Sequence, residues 1–143
     1  MTTNSRFSLE QGHLVIIELP QEARATVLAA ILAHDPLLYG DYGEVAFHSA
    51  CGIQQFRSLG TGRNAATGSA VAVPCHDLRF FTALSGAALT ALIDALYHAH
   101  PYEEPVIYLT PTTRTRHIRG LGEDSPHKFW NRETPDWVPE EHC

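Results

Sequence analysis

Residues 85–109 read SGAALTALIDALYHAHPYEEPVIYL. Leu89, Leu92, Ile93 and Leu96 recur at i, i+3, i+4 and i+7, which is one apolar stripe of a helix. Ser85 stands where an N-cap belongs. The helix ends before Pro101, because a residue preceding proline disfavours the helical region. Pro105 to Leu109 then reads as a strand. On the other side, Leu78, Phe80, Thr82 and Leu84 alternate with Arg79, Phe81 and Ala83, so Leu78 to Leu84 is also a strand. Strand, helix, strand is therefore the plan of the second half of the chain.

The first half repeats it. His13 to Leu19 is a strand whose run Leu14, Val15, Ile16, Ile17 suits burial on both faces. Pro20 stops the strand and suits a first helical turn. From Gln21 to Ala33, Val27, Leu28, Ile31 and Leu32 recur at helical spacing. Asp35-Pro36 ends that helix. Tyr39 to Gly43 is turn chemistry. Glu44 to Phe56 is a strand or bent hairpin, with Gly52 permitting a bulge. Leu59 to Ser69 carries Gly60, Gly62 and Gly68 and few large side chains, so it is a flexible loop. Ala70 to Val73 is β-prone, and Pro74 interrupts it. The order βαββαβ predicts a ferredoxin-like α+β fold, an antiparallel sheet with two helices on one face. Residues 1–12 read as a polar leader and 13–111 as the domain. Residues 112–143 read as an irregular, extended C-terminal arm. Its Phe129, Trp130 and Trp137 need cover from the body or a neighbouring subunit.

The chain has 143 residues, 44% hydrophobic and 18% charged, which is the composition of one globular domain. No run approaches the roughly 20 apolar residues that span a bilayer. The start lacks an apolar signal core. A soluble, cytoplasmic protein without a membrane partner is expected. Ten basic residues against sixteen acidic ones give a net charge of −6, which argues against nucleic acid as a partner. Arg114, Arg116 and Arg119 are then solvated or form intersubunit salt bridges. Three cysteines, Cys51, Cys75 and Cys143, are an odd number without CxxC spacing. That argues against a disulfide framework and a zinc ribbon. Nine histidines are scattered along the chain. His117, His127 and His142 fall in the arm and read as solvated.

His98-Ala99-His100-Pro101-Tyr102-Glu103-Glu104-Pro105 is the densest polar cluster. Two prolines stiffen it and pre-position its side chains. Imidazole with carboxylate suits zinc and similar divalent ions, so His98, His100 and Glu104 are candidate metal ligands. Exposed histidines favoured by the helix dipole are the plainer reading. Glu103 and Glu104 equally suit carboxylates that accept backbone N–H bonds and hold a turn. Tyr102 suits packing with a satisfied hydroxyl. His48 and Cys51 could join a site only through a bulge, and His76 beside Cys75 is a comparably weak pair. The glycines of 59–68 would let N–H groups approach an anion, but the Lys-Ser/Thr of a P-loop is missing. No GxSxG or HExxH is present, so no nucleophile is named.

HPYEEP at 100–105 closely resembles the hallmark of the YqfO-type domain. That is the PII/CutA-like module inserted in Nif-three-like proteins, a group also called type 2 GTP cyclohydrolase I. Tyr39-Gly40-Asp41-Tyr42 is similar to that family's turn after the first helix. Gly52 and Phe56 fit its Gly-x-Gly-x-Phe pattern, with Gln54 at the second glycine. Gly62, Asn64 and Gly68 fit its glycine-asparagine loop, with Ala65 at a usual proline. Asp77 and Arg79 resemble the start of its acidic-arginine strand, and Gly120-Leu121-Gly122 the segment after the domain. Val106, Ile107 and Tyr108 replace the usual Ala-Tyr-Asp, so one carboxylate is missing. Phe81 replaces an acidic residue and Val45 a cysteine. The flanking metal-binding halves of the longer proteins are not found, so their hydrolase activity does not transfer.

The resemblance implies a ferredoxin-like fold that forms homotrimers with a small ligand or ion in clefts between subunits. In that frame Tyr42, Asn64, Tyr102, Glu103 and Glu104 are the candidate ligand-binding residues. The leading expectation is a non-catalytic PII/CutA-like module that binds a small ligand or divalent metal. The alternatives are a small metal-dependent hydrolase using His100 with Glu103 or Glu104, and a structural or partner-binding protein.

Overall fold

Two helices pack on one face of a five-stranded antiparallel sheet. The computed structural model describes residues 6–118, 124, 128, 131 and 139–142. In chain order these are β1 (Phe7–Leu19), α1 (Arg24–Leu32), β2 (Phe47–His48), β3 (Gly52–Phe56), β4 (Val71–Thr82), α2 (Gly86–Ala99) and β5 (Ile107–His117). A 3-10 turn at Gln21–Ala23 leads into α1. The strand order is β2-β4-β1-β5, with β3 also beside β4. The expected α+β, ferredoxin-like plan is what the chain adopts.

Alternation fixes which face is covered. Val15, Ile17 and Leu19 of β1 are fully buried, and Val15 and Ile17 stand opposite Phe80 and Leu78 of β4. Val27 and Ile31 of α1 and Leu92 and Leu96 of α2 close over them. Each such side chain stabilises by about 1.5–3 kcal/mol relative to exposure. A one-residue slip would turn the whole row to solvent, so the register is set.

β2 and β3 are one strand broken by a bulge. Phe47 and His48 face Arg79 and Leu78, and the Ser49 N–H still donates to the Asp77 carbonyl. Gly52 then faces Cys75, so Ala50 and Cys51 together oppose His76 alone. The bend expected near Gly52 is this extra residue.

The strand limits differ from the sequence pattern in three places. β1 begins at Phe7 rather than His13, and β5 runs to His117 rather than Leu109. These extensions pair with each other, Phe7 opposite His117 through Gly12 opposite Thr112. They are rich in Thr, Arg and Gln, so no apolar run announces them. The third difference is that β4 passes through Pro74 unbroken. There β4 has β3 as a neighbour but not yet β1, whose pairing starts at His76, so the missing N–H removes no central ladder bond.

Two end signals act differently from expectation. Ser85 is the N-cap of α2, but its side chain makes no capping bond, and its carbonyl accepts the Leu89 N–H. Asp35 does more than end α1. Its Oδ1 accepts the Leu37 N–H at 2.9 Å and its Oδ2 accepts the Thr82 hydroxyl at 2.7 Å. That joins the end of α1 to the end of β4.

Arg114, expected to be solvated or to bridge subunits, is half-buried and engaged within its own chain. Its Nε donates to Glu10 Oε1 at 2.7 Å, and its guanidinium lies 3.9 Å from the Phe81 ring centre. His117 ends β5 half-buried beside Gly40. Arg119, His127, Phe129, Trp130 and Trp137 lie outside the described residues. Among the described residues no helix is long and apolar enough to cross a membrane.

Candidate functional site

The HPYEEP segment joins α2 to β5. Its first residue, His100, is the C-cap of α2 and turns the backbone into the extended region. The ring is only 6% exposed, and both its nitrogens are used. Nε2 donates to the Glu18 carbonyl at 2.6 Å, and Nδ1 accepts the Tyr102 N–H at 3.0 Å. These bonds select the neutral Nε2–H tautomer. Burial pushes the imidazole below its ordinary range, against a smaller opposing effect of the Glu18 bond. The Tyr102 ring tilts against it with centres 4.7 Å apart. His100 therefore pins the loop to the end of β1.

Tyr102 meets the end of β4. Burial raises its phenol, followed by the nearby Cys75, which also hydrogen-bonds it, then Glu22 and Glu18. Cys75 is buried, and its thiol is raised by burial first, then by Glu18 and Asp77. Glu18 is itself raised, by burial and then by Asp77 directly across the β1–β4 ladder. The wall around Tyr102 is thus an uncharged imidazole, an uncharged phenol and an uncharged thiol at neutral pH. A protonated thiol is a poor nucleophile, and an imidazole with both nitrogens engaged has no free acceptor. The arrangement suits holding a ligand better than transferring a proton.

Glu103 reaches the glycine-rich loop between β3 and β4. Its Oε2 accepts the Arg63 N–H at 3.0 Å. Gly62 lies so close that an added Cβ would be 3.2 Å from that oxygen. Within the loop, Ser58 Oγ donates to the Asn64 carbonyl at 2.9 Å, and Gly60 N–H donates to Ser58 Oγ at 3.2 Å. Glu103 thus accepts a backbone N–H, though from the glycine loop and not from the turn it was expected to hold, and Asn64 follows Arg63 in that loop. Glu104 is exposed.

The other candidates are spread out. His98 lies in the last turn of α2 with its side chain 78% exposed and its Nδ1 on the Asp94 carbonyl at 2.8 Å. His98 and His100 thus point to different surroundings. Tyr42 is exposed in a tight turn that exchanges backbone bonds with Tyr39. Tyr39 is bonded to Thr115 at 2.6 Å, eight residues along β5 from Ile107. At strand rise that is about 26 Å from the HPYEEP end, so within one chain Tyr42 does not share the site. The bulge that His48 and Cys51 required exists, but it leaves Cys51 exposed and His48 half-buried. Among the described residues no three His, Cys, Asp or Glu side chains converge as a metal-holding group. The pattern gave no sign of Glu18. Its role comes from its backbone carbonyl, which no side-chain motif reveals.

No protein-family model matches the chain, and no curated protein matches it. Solved structures do. A Bacillus cereus protein related to NIF3 superposes with a TM-score of 0.60 at 21% identity, over 76% of this chain and 28% of that one. CutA from Synechococcus elongatus PCC7942 matches with a TM-score of 0.44 at 21% identity, over 75% of this chain and 85% of that one. The chain thus corresponds to little more than a quarter of the NIF3-related protein's length. What the chain shares with the NIF3-related protein is its fold over that part.

Proposed function

We propose that the chain is a non-catalytic PII/CutA-like binding module that takes a small ligand at the HPYEEP loop, in clefts of a homotrimer. The observation that carries this reading is the junction of two loops forty residues apart, with Glu103 of the stiff loop on the Arg63 N–H of the glycine loop. A pinned loop facing an exposed one is the form of a ligand cleft. The occupied nitrogens of His100 favour a small ligand over a divalent metal as the resident. Trimerisation is supported by the two outer edges of the sheet, β2–β3 and β5, which a neighbouring copy could pair.

The test is a thermal-shift panel of nucleotides, carboxylic acids and divalent metal chlorides on the full chain. At least one compound is expected to raise the melting temperature, with the rise lost in Tyr102→Ala. A panel without a hit, or a hit indifferent to Tyr102→Ala and Glu104→Ala, overturns the reading.

A further inference from the structure

The loop of residues 57–70 differs in charge from the rest of the chain. It holds Arg57 and Arg63 and no acidic residue, within a protein of net charge −6. Neither arginine makes an ion pair among the described residues. All of 59–70 is exposed. Gly60 takes a φ of +85°, a conformation that lets successive N–H groups turn outward. A solvated loop has no need of this combination, and one anionic group already sits on it. That group is the Glu103 carboxylate, with Oε2 on the Arg63 N–H and both oxygens against Gly62. Gly62 lets the carboxylate sit this close, since a Cβ there would stand 3.2 and 3.3 Å from the two oxygens and push them back by a few tenths of an ångström.

We infer that Gly62 and Arg63 form an oxyanion-binding site in which Glu103 is an internal occupant, displaced by a multiply charged phosphate-class ligand. The inference rests on the ligand-cleft reading above and names the chemistry of its ligand. A monocarboxylate is already in place, so a competitor must carry more charge, and the two arginines of this loop, which make no ion pair among the described residues, give it a positive field that favours one. Glu103 comes from a loop pinned by His100, whereas the glycine loop has only exposed contacts. Release therefore moves the glycine loop. The apparent affinity for the anion is the intrinsic one reduced by the fraction of molecules already released.

The probe is inorganic pyrophosphate, titrated calorimetrically into the full chain, with a nucleoside diphosphate as a second arm. Glu103→Ala is expected to bind pyrophosphate about tenfold more tightly than the unmodified chain, because the internal competitor is gone. Adding Arg57→Ala and Arg63→Ala to that variant is expected to abolish the gain. Equal affinity for both probes identifies free phosphate as the source, and tighter nucleoside diphosphate identifies a nucleotide; either supports the site. Amide exchange at Arg63 is read beside it, expected to be faster in ligand-free Glu103→Ala and slowed again by pyrophosphate. Unchanged exchange at Arg63 overturns the internal occupant. Affinity that does not rise in Glu103→Ala, or a rise that survives loss of both arginines, overturns the oxyanion site. A carboxylic acid or metal hit that depends on Tyr102 would leave the ligand-cleft reading standing while this inference failed.

Discussion

At the scale of single residues, His100 links stability to acidity. Its imidazole is held neutral by burial, and His48 is lowered too, by burial first and then by Arg24 and His76. Both groups have folded values below the ordinary 6.5, so the unfolded chain binds their protons first. Their contribution is complete above about pH 6.5 and is lost as the pH falls toward the folded values. Denaturant midpoints are therefore expected to drop between about pH 7.5 and about pH 5.5, and less steeply in His100→Gln; an unchanged slope would refute the assignment. His100→Ala is expected to cost about 2 kcal/mol in chemical denaturation, because the Glu18 carbonyl and Tyr102 N–H lose their partner. Glu18 acts in the opposite sense. Its carboxyl is raised by burial and Asp77, so its contribution is complete below the ordinary 4.5 and is lost as pH rises through the folded value. Like charges directly opposite on a ladder are destabilising. Glu18→Gln is thus expected to stabilise the protein at neutral pH by about 0.5 kcal/mol, and a lowered melting temperature there would contradict it.

At the scale of elements, the sequence was legible wherever a side-chain period reports burial. The stripe Leu89, Leu92, Ile93, Leu96 is the buried and half-buried face of α2. The alternation Leu78, Phe80, Thr82 is the covered face of β4. Gly52 marked a bulge that is there. What stayed hidden depends on pairing. Residues 7–12 and 112–117 are strands because each lies beside the other, and Thr113 or Gln11 says nothing of that alone. The site divides the same way. HPYEEP was visible as a stiff polar loop, and its carboxylates as acceptors of backbone N–H bonds, but within their own turn and not from another loop. The Glu18 carbonyl and Arg63 N–H were not visible, since backbone partners carry no residue type. Gly12 was equally silent, being neither a turn nor at positive φ. An added Cβ there would overlap the Thr82 carbonyl oxygen and press on the Phe81 ring. Backbone cannot yield as a flexible side chain does, so β1 and β4 would have to part. Gly12→Ala is expected to cost about 1–3 kcal/mol in a denaturant titration, and a neutral result would mean the β1–β4 crossing is looser than it stands.

At the scale of the whole molecule, the uncovered features concentrate on the sheet. Its helix face is covered by α1 and α2, while Phe47 and Tyr108, on the other face, are each 54% exposed. β5 is eleven residues long and, among the described residues, pairs only with β1. Pro111, Arg114 and Arg116 blunt the far part of that edge, but Ile107 to Thr110 is uncharged and is a template for another strand. The opposite edge is already bent by the β2–β3 bulge, so the two edges are not equivalent. Pairing one with the other is a head-to-tail contact, which closes into a ring when the rotation permits. Sedimentation of the full chain is therefore expected to show a trimer, with a melting temperature that rises with protein concentration. Tyr108→Lys with Thr110→Lys places charge on the face of β5 away from the helices, opposite Ile16 and Leu14, so it is expected to give a folded monomer. A monomeric wild-type chain would refute the trimer. A trimer that survives both lysines would move the contact away from β5, and the exposed apolar residues on β3, such as Ile53 at 75% exposure, would then mark where it forms.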